Sequence, residues 1–566
     1  MLKGRLLNIL DEESFMNMKR LTFVICLIAL GAAHGQAQEL EQIIAAAHGQ
    51  SEDLELIIAA NDINQQGNYG QIWEGIYGAD MASQSKLNGT TLRQLIDGAK
   101  DGDVIELQPG VYRTSEGSLG FIAAIDKNLT IIGQGSVIVD GRRSSGALAI
   151  GRGNPNINVV ISNIKFINCR GKNGGAILSH AKKLAVDKCL FGNNIAYNGS
   201  AIYNEGGELE ICNSLIFNNF AARDGTIKNH NGRLIAKDCR IHENKVLNGG
   251  GGISSVCDRA IRDSHNLQDA LADYQNNETI AQMLVKNCSF DWNKGDHGGA
   301  ISGESCGLII VDSTSFNSNQ GAGGAICAYD SPLIVTGCKI VNNKVVENSP
   351  TEFDQYSGRG GGILVSEQDA LIEDSSILDN EASVEESSMI IGNGGGISAS
   401  YSNLTLNGCE IRGNRAQYGG GIDLLDGNLA VNGGTISDNR AKRVKVHEYP
   451  PFGSVSRCNL EEGKCEKVNM TEMAMDVGGY GGGISIRGNA TLNGVRITGN
   501  RAAERGGAIY SSGRIKMDAG VEIASNQAEM GGGIFIEPSG HIVGDLGLIS
   551  SNTPDNIYSQ SEEVNQ

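Results

Sequence analysis

Three residues at matched spacing are the first candidates for chemistry. His180, Glu205 and His230 lie 25 residues apart, a histidine on either side of a carboxylate. Two imidazoles and a carboxylate can form the donor set of a transition-metal site. The same groups can run general acid–base chemistry. If a 25-residue unit stacks like neighbouring strands, the outer pair has Cα atoms about 10 Å apart. That strains a single metal site, so the plainer reading is a solvated His-Glu-His line with weak pairing. No cofactor is implied.

Two tyrosines form a second candidate. Tyr418 and Tyr480 each stand directly before a glycine triplet, and on neighbouring units they would make an aromatic platform for a sugar or a peptide. Cysteines form a third. Of the thirteen, Cys189, Cys239, Cys288, Cys338 and Cys409 recur two residues before a Phe or Ile. That is the pattern of a small buried apolar residue. Cys458 and Cys465 instead lie close together in a polar stretch and are the candidate disulfide.

The elements that must position these residues are repeats. A glycine-rich phrase ends at Ile177, Ile202, Ile227, Ile253, Ile301, Ile326, Ile363, Ile397, Ile422, Ile484, Ile509 and Ile534. A second phrase, Phe/Ile-x-x-Asn, ends at Asn194, Asn219, Asn244, Asn293, Asn319, Asn343, Asn380, Asn414, Asn439, Asn500, Asn526 and Asn552. An imperfect earlier copy is Phe166 to Cys169. Both series keep a unit near 25 residues, lengthened at the same four places, and such periods mark a solenoid. Within a unit, pieces such as LTLNGCEIRGN (404–414) alternate with period two over three or four residues, so they are strands. The expected fold is all-β, a right-handed parallel β-helix of the pectate-lyase-like kind with about 25 residues per coil.

The phrases then have structural roles. Gly174, Gly175, Gly298, Gly299, Gly323, Gly324, Gly506 and Gly507 suit tight corners with positive φ and close chain approach. Ile177, Ile301, Ile326 and Ile509 face inward. Asn194, Asn293, Asn319, Asn500 and Asn526 stack at a bend as an amide ladder. Upstream, Leu92, Leu95, Ile96 and Ala99 form a helical stripe, followed by a strand at Val104–Leu107. A helix across the open first coil covers an edge prone to aggregation.

The chain has 566 residues, 78 of them Gly, with net charge -19. Such acidity repels nucleic-acid backbones and anionic lipid surfaces, which sets nucleic acid aside as a partner. Lys19-Arg20, the apolar run Leu21–Leu30 and the small residues after it read as a secretory signal peptide in residues 1–38. Cleavage is expected after Ala37 or Gly35. Residues 1–15, with Asp11, Glu12 and Glu13, suit an n-region badly, and the start is expected at Met16 or Met18. Residues 39–86 form a partly helical segment, 87–165 the cap and first coils, 166–556 the repeat β-helix and 557–566 a tail. Insertions fall near 254–276, 344–358, 381–392 and 440–477. ALADYQ in the first of these reads as a helical turn.

GGAI phrases (174–177, 298–301, 323–326, 506–509) alternate with FGNN (191–194), FDWN (290–293) and FNSN (316–319). These resemble the repeats of chlamydial polymorphic outer membrane proteins over about residues 166–552. LRQLIDGAKDGDVIELQPGVY is similar to the opening segment of many pectate-lyase-like β-helices. The resemblance implies a secreted or cell-surface adhesin whose partner is a receptor or glycan on a host or neighbouring cell. That family carries an autotransporter barrel. Only 14 residues follow Asn552, too few for barrel strands, so the expectation is a passenger rod without the barrel, not integral to a membrane.

Three insertions share one corner, between the Asn phrase and the glycines, and loops gathered on a rigid scaffold favour binding. The competing reading is an extracellular polysaccharide lyase or hydrolase. A polygalacturonase-like enzyme would carry Asn-Thr-Asp, Asp-Asp and Gly-His-Gly elements on adjacent coils. Only an Arg514-Ile515-Lys516 tripeptide matches that set. No acidic cluster for Ca²⁺ stands beside an arginine base. The sequence therefore leans away from catalysis, with a structural surface spacer as the third reading.

Overall fold

The computed structural model describes residues 86–113, 120–258, 266–276, 278–345, 358–382, 391–447, 455–459, 464–468, 474–546 and 548–560. Residues 1–38, expected as a signal peptide, the rest of the segment before residue 86 and most of the insertion residues lie outside them. The chain divides into two compact units, 1–78 and 79–566, and the second is the one described.

The second unit is a right-handed parallel β-helix. Each coil contributes a short strand around the Phe/Ile-x-x-Asn phrase, and these build a 16-stranded parallel sheet, sheet I. The strand after the glycines builds sheet II and the next strand builds sheet III. The two merge into one hydrogen-bonded array where Ile397–Asn407 and Ile422–Asn432 run straight through the corner. Beyond these three strands, a short fourth piece after the Asn also pairs in some coils, as in Ile195–Asn198 and Arg440–Ala441. Register keeps the repeat aligned: Ile202 pairs with Ile227, and Ile484 with Ile509. All twelve phrase isoleucines are fully buried. Phe166 stacks on Phe191, and Phe290 on Phe316, with centroids 5.1 Å apart in both pairs.

The Asn column is a continuous amide ladder. Asn194 Nδ2 donates to Asn219 Oδ1 at 3.0 Å, and the pattern repeats through Asn293, Asn319, Asn500 and Asn526 to Asn552. Each Nδ2 also reaches a sheet I carbonyl, as Asn194 does with Phe166 O at 3.1 Å. The imperfect copy caps the ladder, because the Cys169 N–H donates to Asn194 Oδ1 at 2.8 Å. Burying so many amides is tolerated because every one is paired.

The two glycines of each phrase do different work. Gly506 has a φ of +67°, open to glycine at little steric cost. At Gly507 a Cβ would run into the carbonyl of Gly532 on the next coil. Gly174 and Gly324 also have positive φ, and Gly175 and Gly299 show the same close approach, while at Gly298 and Gly323 a side chain would crowd the backbone of the following Ile301 and Ile326.

A helix, α1 (Gly89–Gly98), covers the first coils and buries Leu92 and Ile96. Leu95, counted in the apolar stripe, is 42% exposed, so the buried face is narrower than the stripe. A second helix, α2 (Leu267–Asn276), forms within the first insertion. Its Ala270, Leu271 and Tyr274 pack on outward side chains of sheet III such as Ile235, Leu284 and Ile310. The strand Ile557–Ser559 still pairs with Ile534–Ile536. The solenoid thus continues past residue 556, through residue 559 of the stretch expected as a tail.

Candidate functional site

The His-Glu-His line separates. Glu205 and His230 are register partners on sheet II, and His230 Nδ1 sits 2.9 Å from Glu205 Oε1. The other ring nitrogen is 2.9 Å from Asp258 Oδ1. His180 does not join them. The array is therefore Glu205–His230–Asp258, with Tyr203 donating to Glu205 at 2.7 Å. Burial works against the imidazolium, but the two carboxylates outweigh it and hold the His230 pKa above its usual value. Among the described residues no group of three or more His, Cys, Asp or Glu is placed to hold a metal. Asp258 escaped the repeat spacing because it lies at the mouth of the first insertion, outside any column.

The cysteine column is polar in its bonding. The Cys189 thiol donates to Asp187 O at 3.3 Å, and the Cys189 N–H donates to Ser214 Oγ on the next coil at 3.1 Å. Ser214, Thr314 and Ser375 fill the same column between cysteines. Ile164, Val495 and Val521 stand in the same column, and the cysteines lie in the apolar core with them, so the position takes a buried residue, with a hydrogen bond added where it is Cys, Ser or Thr. Burial pushes the Cys189 and Cys338 thiols up to about 12, so neither is a nucleophile at neutral pH.

Tyr418 and Tyr480 are register neighbours, with rings 5.3 Å apart, edge to face. Three further rings extend them: Tyr510, Phe535 and Tyr558 follow on successive coils at 5.0, 5.9 and 5.2 Å. Arg505 lies over both Tyr480 and Phe535, at 5.2 and 5.1 Å, and its guanidinium bonds Glu537 at 3.0 Å. The Tyr510 hydroxyl donates to the same carboxylate at 2.9 Å. The ladder accounts for both tyrosines as packing residues of this corner.

The three insertions at the Asn–Gly corner leave after Val345, Ala382 and Lys442. Lys344, Glu381, Arg415 and Arg440 are successive register partners, so the roots span three coil steps, about 14 Å. Val345, Ala382 and Ala416 pack together beneath them. The longest insertion is an arm of two antiparallel ribbons. Arg443–His447 pairs with Ala474–Gly478, and Val455–Asn459 with Lys464–Val468. In the second ribbon Cys458 lies directly opposite Cys465. Arg443 braces the base of the arm against Glu504 and Glu529, at 3.0 and 3.3 Å.

Beside that base runs a groove. One concavity of about 360 Å³ is bounded by Arg415, Arg440, Arg501, Asp379 and Asp438. A second of about 530 Å³ adjoins it below the arm and shares Arg440 and Arg501. The floor exists because Gly413 and Gly499 lack side chains; a Cβ there would strike the carboxylates of Asp379 and Asp438. Arg415, Arg440 and Arg501 each follow a ladder asparagine and stack in register on consecutive coils. All three are exposed. At about 4.8 Å, adjacent unit charges repel by about 0.9 kcal/mol even in water. The signal was in the sequence, as GNR, DNR and GNR (413–415, 438–440, 499–501), one residue beyond the Asn that was read.

The family model described as a right handed beta helix region matches residues 273–449, and that of the Chlamydia polymorphic membrane protein repeat matches residues 494–512. A stretch matching the polymorphic membrane protein repeat thus lies within a right-handed β-helix. No curated protein matches it. Among solved structures it is similar to an alginate lyase, AlyF-OU02 in complex with G6, at 13% identity, covering 85% of this chain and 88% of that one with a TM-score of 0.29. It is also similar to a PL6 alginate lyase in complex with a trisaccharide, at 12% identity, the same coverage and a TM-score of 0.27. Likeness at that level carries no argument about activity. Among the described residues no helix is long and apolar enough to cross a membrane.

Proposed function

We infer that this chain is an exported, cell-surface binding rod of the adhesin type. Its grip is the corner where the hairpin arm and the two shorter loops leave the solenoid, and its partner is a receptor or glycan on another cell. The observation that carries this reading is convergence. Three insertions, the longest of them the braced arm, and the groove all lie within a few consecutive coils of one corner, while the one other insertion, which carries α2, leaves from a different corner and packs back on sheet III. Insertions scattered without function would have no reason to share a corner. The polymorphic-membrane-protein repeat at 494–512 supports display at a surface.

The test replaces residues 443–478 with a short Gly-Ser link and measures adhesion of the purified chain to cells and glycan arrays. Adhesion is expected to fall at least about tenfold, while the melting temperature of the solenoid stays within a few degrees. Unchanged adhesion with the arm gone would leave a structural spacer as the better reading.

A further inference from the structure

The groove arginines name a ligand class, and this step rests on the binding reading above. In the column that follows the ladder asparagines, other coils place Gln320, Gln527 and Thr553. An uncharged residue therefore serves the fold equally well at this position. Arg415, Arg440 and Arg501 nevertheless stack three like charges in register. Among the described residues none of the three has an ion-pair partner. The carboxylates of Asp379 and Asp438 in the groove and of Glu381 in the column stand nearby, yet none forms an ion pair with these arginines. The column extends upstream through Lys245, Lys294 and Lys344, with Glu381 as its one acidic member.

An anion from outside relieves this repulsion, and one with a regular repeat relieves it best. Guanidinium forks match carboxylates two bonds at a time. Two carboxylates, Asp379 and Asp438, share the groove with the arginines. They accept hydrogen bonds from hydroxyls and oppose a bare polyphosphate. The ligand thus alternates anionic groups with hydroxyls along an extended chain. We propose that the groove binds a linear acidic polysaccharide, its carboxylates or sulfates on Arg415, Arg440 and Arg501 and its ring hydroxyls on Asp379 and Asp438. The solenoid axis sets the direction of the chain, and the outer two guanidiniums sit two coil steps apart, about 10 Å.

The experiment is calorimetric titration of the full chain with oligouronates, heparin-derived oligosaccharides, neutral cello-oligosaccharides and a short single-stranded DNA. The variants are R415Q, R440Q, R501Q and the triple. Glutamine already occupies this column at two coils, so the variants keep the fold, and an unchanged melting curve checks it. Binding of an acidic oligosaccharide that weakens as salt rises is expected. Each single change should cost about fivefold and the triple at least about a hundredfold. Comparing uronate with heparin shows whether carboxylate or sulfate is preferred. Unchanged affinity in the triple variant, equal binding of the neutral sugar, preference for DNA, or no acidic oligosaccharide bound would each overturn the proposal. New reducing ends or unsaturated-uronate absorbance would overturn it too, replacing binding by cleavage. If the arginine variants bind like the parent while removal of the arm abolishes adhesion, the polysaccharide proposal fails and the binding rod stands.

Discussion

Asn319 shows what one ladder residue holds together. Its Nδ2 donates to Asn343 Oδ1 and Phe290 O, and its Oδ1 accepts from the Asn293 N–H and Nδ2, all within 2.9–3.0 Å. Asn319→Ala leaves buried partners unsatisfied on both neighbouring coils, at a cost of about 3–5 kcal/mol. Asn428, in the exposed ladder between Asn403 and Asn489, is the control. Its alanine variant should cost under about 1 kcal/mol. Urea midpoints measure both, and equal shifts would remove the ladder as a source of stability. His230 makes a pH prediction. Its pKa is raised in the folded state, because Glu205 and Asp258 outweigh the opposing effect of burial. Its contribution is therefore fully present below the ordinary imidazole value of about 6.5 and is lost as pH rises through the raised value. The site is partly solvated, so the effect is under about 1 kcal/mol. Melting temperature against pH should fall more steeply above about 6.5 in the parent than in His230→Gln. Parallel curves would show that the array carries no net linkage.

Among the elements, the hairpin arm carries the redox prediction. Its register sets Cys458 opposite Cys465, the arrangement a cross-strand bridge requires. The buried column offers the contrast, with thiols raised to about 12 at Cys189 and Cys338 and about 11 at Cys409. Non-reducing peptide mapping of the chain purified from an oxidising compartment is expected to link 458 to 465. A thiol reagent at pH 8 should leave Cys189, Cys338 and Cys409 unmodified until denaturant is added. Labelling of Cys458 in the native, unreduced chain would exclude the bridge. The solenoid elements were legible because each coil repeats the constraints of the one before: an inward Ile, a paired amide, a glycine where no Cβ fits. Residues such as Asn194 and Ile509 announce themselves by recurrence. What recurrence does not govern was harder to read. Asp258 reaches His230 from an insertion mouth, while Cys239, buried in the apolar core as its recurrence suggested, adds a thiol hydrogen bond to Lys237 O that spacing alone does not show. Arg415, Arg440 and Arg501 were in phase with the repeat, but their meaning needed the floor glycines and the carboxylates beside them.

At the scale of the solenoid, stacking solves the edge problem everywhere except at the ends. Among the described residues Val104–Leu107 pairs only with Leu129–Gly133, and Phe121–Ile125 only with Gly146–Ile150, so each has one edge with no described strand beside it at the first coils. The core there is covered by α1, which lays Leu92 and Ile96 on it. Arg93 reaches back to the carbonyl of Ile122 at 2.8 Å. Lys127 Nζ caps the far end of the helix, at 2.7 Å from Ala99 O and 3.2 Å from Ile96 O, where a cation also suits the helix dipole. An uncovered coil presents unpaired N–H and C=O groups above an apolar floor, a template for a second copy of the same coil. Leu92→Asp with Ile96→Asp should therefore lift α1 and drive association end to end, seen as a rising mass in light scattering as concentration increases. Leu95→Asp changes a side chain that is already 42% exposed and should scatter like the parent. If the double variant keeps the parent's mass at every concentration, α1 is a decoration and the first coil protects itself by some other means. If both variants associate, added charge rather than loss of the cap is responsible.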